Sequence, residues 1–178
     1  MLNNTNQSYG LIAKLLHWLS ALTVIGLFAV GFWMVDLDYY SQWYQTAPHW
    51  HKSIGILLLL ATIFRIVWRI ANQTPQPEIS HSATVKKLSS GAHYLLYIML
   101  LTVMCSGYLI STADGRAIEV FDWFSIPALG TLFENQEDLS GLIHEYVAYA
   151  LIGLALLHAI AAIKHHVIDK DNTLKKII

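Results

Sequence analysis

The sequence predicts an all-α membrane protein, a bundle of four transmembrane helices, and two observations carry the prediction. First, hydrophobic residues make up 55% of the 178 positions and charged residues only 13%, against roughly 25% charged in an ordinary soluble domain. Second, the apolar residues are gathered into four runs, each long enough to approach or cross a hydrocarbon layer of about 30 Å at a rise of about 1.5 Å per residue.

The first run extends from about residue 15 to 35 and holds no charge between Lys14 and Asp36. It is too long, and lacks the small-residue site, for a cleavable signal peptide. The second, about 51 to 71, contains "IGILLLLATIFRIVWRI". Its Arg65 and Arg69 must reach a surface or meet an internal anion, because an unpartnered charge in hydrocarbon is costly. "ANQTPQPEIS" follows as a loop, since Pro75 and Pro77 interrupt helical hydrogen bonding. The third run covers about 91 to 112 and the fourth about 140 to 166. Between them lies a long loop whose Phe121, Trp123 and Phe124 predict a segment at the interface. The whole chain, 1–178, reads as one domain without repeats, and the lone Cys105 reads as a small buried apolar residue.

Charge orients the bundle. Lys14, Arg65, Arg69, Lys86, Lys87, Lys164, Lys170, Lys175 and Lys176 fall on the side of the termini, and only Lys52 and Arg116 on the other. The positive-inside rule therefore predicts a multi-pass membrane protein with both termini cytoplasmic. Asp36, Asp38, Asp114, Glu119, Asp122, Glu134, Glu137, Asp138 and Glu145 make the outer side acidic. A net charge of −1 without a basic run gives no reason to expect a nucleic-acid partner; membrane lipid is the surrounding medium.

The nine histidines carry the chemistry. His144 and His158 bound "HEYVAYALIGLALLH" in the fourth run. Their spacing is about four helical turns and about 21 Å, so both project from nearly one face, one toward each membrane surface. His51 stands at the outer depth of His144 and His17 at the inner depth of His158, which makes two pairs stacked across the bilayer. Histidines on facing helices can ligate a haem iron from both sides. Gly26, Gly55, Gly107 and Gly153 interrupt the helices and allow close approach of a flat ring. Arg65, Arg69 and Lys14 on the inner side, and Lys52 on the outer, are the cations available to haem propionates. His49, His81 and His166 read as polar anchors at the interface, and Trp18, Trp33, Trp43, Trp50 and Trp68 as the aromatic belt. A histidine-lined proton or metal transporter would need its ligands together, and pairs about 21 Å apart cannot share one tetrahedral site.

"LLHWLSAL", "HKSIGILLL", "RIVWR", "ADGRAIEVF", "HEYVAYALIGLALLH" and "KHHVIDKDNTL" together resemble the bacterial cytochrome b-561 family, over about Tyr9 to Leu174. The resemblance implies a four-helix bundle holding two haems b between its helices, with His17 and His158 on the inner haem and His51 and His144 on the outer, as iron ligands. It further implies an oxidoreductase that takes electrons from superoxide at the outer haem and passes them to ubiquinone near the inner one. By position, Arg65 is expected to contact a propionate, and His93 and His165 to line the quinone site. With two histidines per iron, no residue besides the haems is expected to act as catalyst. The alternative is a non-enzymatic haem-bearing anchor that relays electrons for a periplasmic redox partner, for which the acidic outer side is a docking surface.

Overall fold

The computed structural model describes residues 1–78 and 81–178. Four long helices dominate: α1 (Leu11–Met34), α2 (Thr46–Ala71), α3 (Ala83–Ser111) and α4 (Gln136–Val167). Each contains an 18-residue window of mean hydropathy between 1.8 and 2.1, long and apolar enough to cross a membrane. Their outer surfaces keep large apolar side chains exposed, such as Leu22 at 64%, Phe32 at 61% and Leu157 at 64%. Burying such residues is favourable only in lipid, where the helices also satisfy their own backbone groups.

The helices begin four to eight residues earlier than the apolar runs predict at 15, 51, 91 and 140. Polarity marks where hydrocarbon ends, while backbone hydrogen bonding continues into the polar layer until a cap stops it. The start of α3 shows this: Ser82 accepts a hydrogen bond from the Val85 amide, a polar N-cap that lets Lys86 and Lys87 join the helix. Pro48 is accommodated because it sits in the first turn of α2, where its missing amide has no intrahelical partner. The other ends agree closely, and α2 stops at Ala71, ahead of Pro75.

α1 packs chiefly on α2 and α3 on α4, whereas α1 meets α4 only sparsely and α2 meets α3 moderately. The bundle is thus two helical hairpins laid side by side. At mid-depth they meet through Leu58, Leu100, Met104 and Leu151, with Val24 and Leu27 packed against them. A Cβ added at Gly26, Gly55 or Gly153 would meet nothing within 4 Å.

The loop between α3 and α4 forms an antiparallel hairpin, β1 (Ile118–Val120) with β2 (Phe124–Ile126), Val120 opposite Phe124. The aromatic residues expected at the interface are its tip rather than a separate segment. Phe121 holds φ 49°, a left-handed conformation that costs a bulky residue and persists only where surrounding contacts enforce it. Here the enforcing group is Ser53 of α2, wholly buried. The Phe121 amide donates to Ser53 Oγ at 2.9 Å, and Ser53 Oγ donates to the Glu119 carbonyl at 3.2 Å. Val120 and Ile118 then seat on Ile56.

At the opposite end both termini meet the linker between α2 and α3. Asn4 Nδ2 donates to the Gln73 carbonyl at 2.9 Å, and the Tyr9 amide donates to the Lys176 carbonyl at 3.1 Å. Lys176 Nζ reaches the Gln76 carbonyl at 2.7 Å and Glu78 at 2.8 Å. The bundle therefore has a hairpin end and a terminal end.

Candidate haem and quinone sites

At the hairpin end α2 and α4 bring His51 and His144 opposite each other, edge to ring, between the helical hairpins. Their ring centroids are 6.1 Å apart and their planes cross at 68°. Two imidazoles bound to one metal from opposite sides, at about 2.0–2.1 Å per nitrogen, have centroids about 6 Å apart. The pair is spaced to hold an ion between them.

The surroundings are built for the same task. His144 Nδ1 lies 2.8 Å from the Val103 carbonyl and 3.3 Å from Ser106 Oγ. A carbonyl can only accept, so Nδ1 carries the proton and Nε2 presents its lone pair; a ligating histidine needs that tautomer. Gly107 lies against the same ring, and a Cβ there would stand 3.0 Å from His144 Cε1. Gly31 of α1 does the same for His51, at 3.2 Å from Cε1. Each imidazole is thus cradled by a residue with no side chain. His51 Nδ1 is buried without a hydrogen-bond partner among the described residues, so its ring is placed by packing alone.

At the terminal end His17, Arg65, His93 and His158 gather. Arg65 Nη2 donates to His17 Nδ1 at 3.0 Å, and its guanidinium lies 5.3 Å from the centroid of the Tyr97 ring. The sequence called for a surface or an anion at Arg65; the fold supplies an imidazole lone pair and an aromatic face, which satisfy a cation's donors and its charge without a carboxylate. A guanidinium only donates, so Nδ1 of His17 is the acceptor and the neutral ring carries its proton on Nε2. His158 has His93 as its ring neighbour, with centroids 5.2 Å apart. The expected partners His17 and His158 share this cluster, with Arg65 and His93 among them.

Beside it, between α2 and α3, opens a cavity of about 420 Å³ lined by Ile66, Arg69, Ile70, His93, Tyr94 and Tyr97, together with Thr74 and Ser90. His93 therefore borders both the cluster and the cavity. His165, expected beside it, is not among the residues lining that cavity. It points into a separate group at the end of α4, with Nδ1 2.7 Å from Asp169 Oδ2. It is held there by Asp169 and Asp171 of the segment that follows α4.

The hairpin end carries an open basin lined by His49, Glu119, Phe121, Asp122, Trp123, Phe124 and Ser125. Arg116 is not free there: its Nε donates to Asp114 Oδ2 at 2.6 Å. That bond holds the Asp114 carboxyl below the usual carboxylate range and raises the Arg116 guanidinium. Lys52 has no acidic partner among the described residues.

A four-span helical bundle with paired histidines between its helices is the architecture of a membrane cytochrome b. The chain matches the family described as prokaryotic cytochrome b561 over residues 8–178, and it belongs to that family, whose members are haem-b-binding membrane electron-transfer proteins. It is 45% identical to "Cytochrome b561 homolog 2" of Escherichia coli (strain K12), over 98% of this chain and 93% of that protein. It is 28% identical to "Cytochrome b561 homolog 1" of the same organism, over 92% of each chain. It is 26% identical to "Probable superoxide oxidase CybB" of Yersinia pestis, over 97% of each chain.

Proposed function

We propose that the chain holds two b haems and conducts electrons across the bacterial inner membrane, from superoxide at the hairpin end to ubiquinone at the terminal end, with both termini cytoplasmic. The single observation that carries this reading is the His51–His144 pair, spaced at 6.1 Å and relieved on both sides by glycine. His51 and His144 are the ligands at the hairpin end, and His17 and His158 those at the terminal end. Bound haem supplies a one-electron carrier at each end.

The chain's own residues do the rest. The Val103 carbonyl fixes the ligating tautomer of His144. For His17 to offer Nε2, its proton moves to Nδ1 and Arg65 lets go, which frees the guanidinium for a propionate. The cavity lined by Arg69, His93 and Tyr97 takes the quinone head, and its apolar wall of Ile66 and Ile70 takes the first part of the tail. His93 is placed to hydrogen-bond a quinone carbonyl and to pass it a proton from the cytoplasmic side. Two superoxide anions give two dioxygen molecules and two electrons; with two protons these convert one quinone to quinol.

A second reading has its own observation. The acids Glu119 and Asp122 in the basin, with Arg116 neutralised by Asp114, favour a cationic redox protein over an anion as the donor. In that case the chain is a haem-bearing relay without its own substrate. The test is purified, haem-loaded protein mixed with superoxide, with the reduced haem band followed optically and a water-soluble ubiquinone added afterwards. Rapid reduction and quinone-dependent reoxidation support the first reading. No reduction by superoxide refutes it, and salt-sensitive reduction by a basic redox protein supports the second.

A further inference from the structure

Among the described residues, one group of metal-ligating side chains lies outside the sites above. His81, just before α3, and His165 and Asp171, at and after the end of α4, each bring one donor atom within 4.8 Å of the others. His81 Nε2 is 2.7 Å from Asp171 Oδ2, and His165 Nδ1 is 3.7 Å from the same oxygen. The two rings stand 4.5 Å apart, tilted by 39°. The side chains are 15%, 19% and 6% exposed, respectively. Asp169 sits next to them, bound through both oxygens by Lys164 at 2.9 and 2.7 Å.

Local backbone chemistry aims the carboxylate. The Ile168 and Asp169 amides both donate to the Lys164 carbonyl, at 2.8 and 3.2 Å, and the Asp171 amide donates to the His165 carbonyl at 3.1 Å. Lys170 takes φ 55° and folds the chain back on α4. The Thr173 amide then donates to Asp171 Oδ1 at 2.8 Å, which leaves Oδ2 turned to the histidines.

We propose that His81, His165 and Asp171 form a site for a divalent transition cation, with Zn²⁺ as the best-suited ion, that clamps the α2–α3 linker to the tail following α4. Two imidazole nitrogens and one carboxylate oxygen are a borderline-soft donor set, with the fourth position left to water. Ligands at about 2.0–2.2 Å in a tetrahedron lie about 3.3–3.5 Å apart. Around Asp171 Oδ2 the donors straddle that separation, at 2.7 and 3.7 Å, and all three lie within 4.8 Å of one another, so the site closes by shifts of about 1 Å that side-chain rotation can supply. The cation replaces the hydrogen bonds that now join His81 to Asp171 and His165 to Asp169. His165 is committed here rather than to the quinone, and the site stands whether or not the donor and acceptor readings hold.

The test uses tag-free, chelator-stripped holoprotein in detergent, with haem and zinc counted in the same sample. Zn²⁺ affinity is read by competition with a chromophoric chelator. The wild type and H93N, which changes the terminal-end cluster and its cavity but none of the three proposed ligands, are expected to bind one Zn²⁺ per chain. H81A and D171N are expected to bind at least tenfold more weakly at unchanged haem content. X-ray absorption of zinc-loaded wild type needs no variant and should show two imidazoles and no sulfur. No binding by wild type, wild-type binding by both variants, or a zinc shell without imidazole would each overturn the proposal.

Discussion

Replacing Gly107 by alanine tests the cradle around His144 with a single methyl group. In an isolated helix the change is favourable by about 0.5–1 kcal/mol, because glycine loses more backbone freedom. Against the imidazole the new Cβ would stand 3.0 Å from His144 Cε1 and 3.2 Å from Nδ1, where carbon contacts are optimal at about 3.5–4.0 Å. The ring must retreat by about 0.5 Å or more, the tolerance within which a ligand set has to be held. Its bond to the Val103 carbonyl, now 2.8 Å, then lengthens beyond 3.2 Å, the upper end of the ordinary range. Loss of that bond costs about 1 kcal/mol, and overpacking about 1–3 kcal/mol. The net sign is reversed from the helix expectation. The assay is haem content per chain with a redox titration of the reduced band, with G91A as control, since a Cβ at Gly91 meets nothing within 4 Å. G107A is expected to lose or shift the haem at the hairpin end while G91A keeps both. A G107A protein with full haem, unchanged potentials and raised thermal stability would refute the reasoning.

Four other outcomes follow from the same geometry. H51A and H144A are each expected to retain one haem per chain, read from the pyridine haemochrome. S53A removes both bonds to the β-hairpin, worth about 1 kcal/mol each, and should speed amide exchange at residues 118–126 without changing haem content. R65K keeps the charge but loses the planar fork, so the terminal-end haem should bind less tightly, while R65A should cost more than R65K. D114N exposes the Arg116 charge: superoxide-driven reduction should rise, and reduction by a basic protein should fall. The folded carboxyl of Asp114 lies below its ordinary value, so the pair is complete above the unfolded carboxylate pKa of about 3.9. It is lost as pH falls through the lower folded value; an NMR titration of the Asp114 carboxyl with its midpoint below about 3.9 checks the sign.

Much of this protein was legible along the chain, because its solvent is lipid. Four apolar runs, the Pro-broken linker and the four-turn spacing of His144 and His158 report one-dimensional properties: hydropathy, helix breaking and helical phase. They determined the number of spans, the shared end of the termini, and which end of the bundle holds His51 with His144 and which holds His17 with His158. Helix ends were read too short because capping at Ser82 is a hydrogen-bond property that hydropathy does not register. What needed three dimensions was every contact between segments distant in sequence. Gly31 carries no local signal that marks it as the neighbour of His51. Ser53 reads as one more residue of "HKSIG" until the hairpin is seen to hang from it. His81 and His165 are far apart in sequence and become ring neighbours beside Asp171 only through the turn at Lys170. Period and polarity place a side chain at a depth and on a face; only packing decides which other face it meets, and the chemistry of a site is set by that meeting.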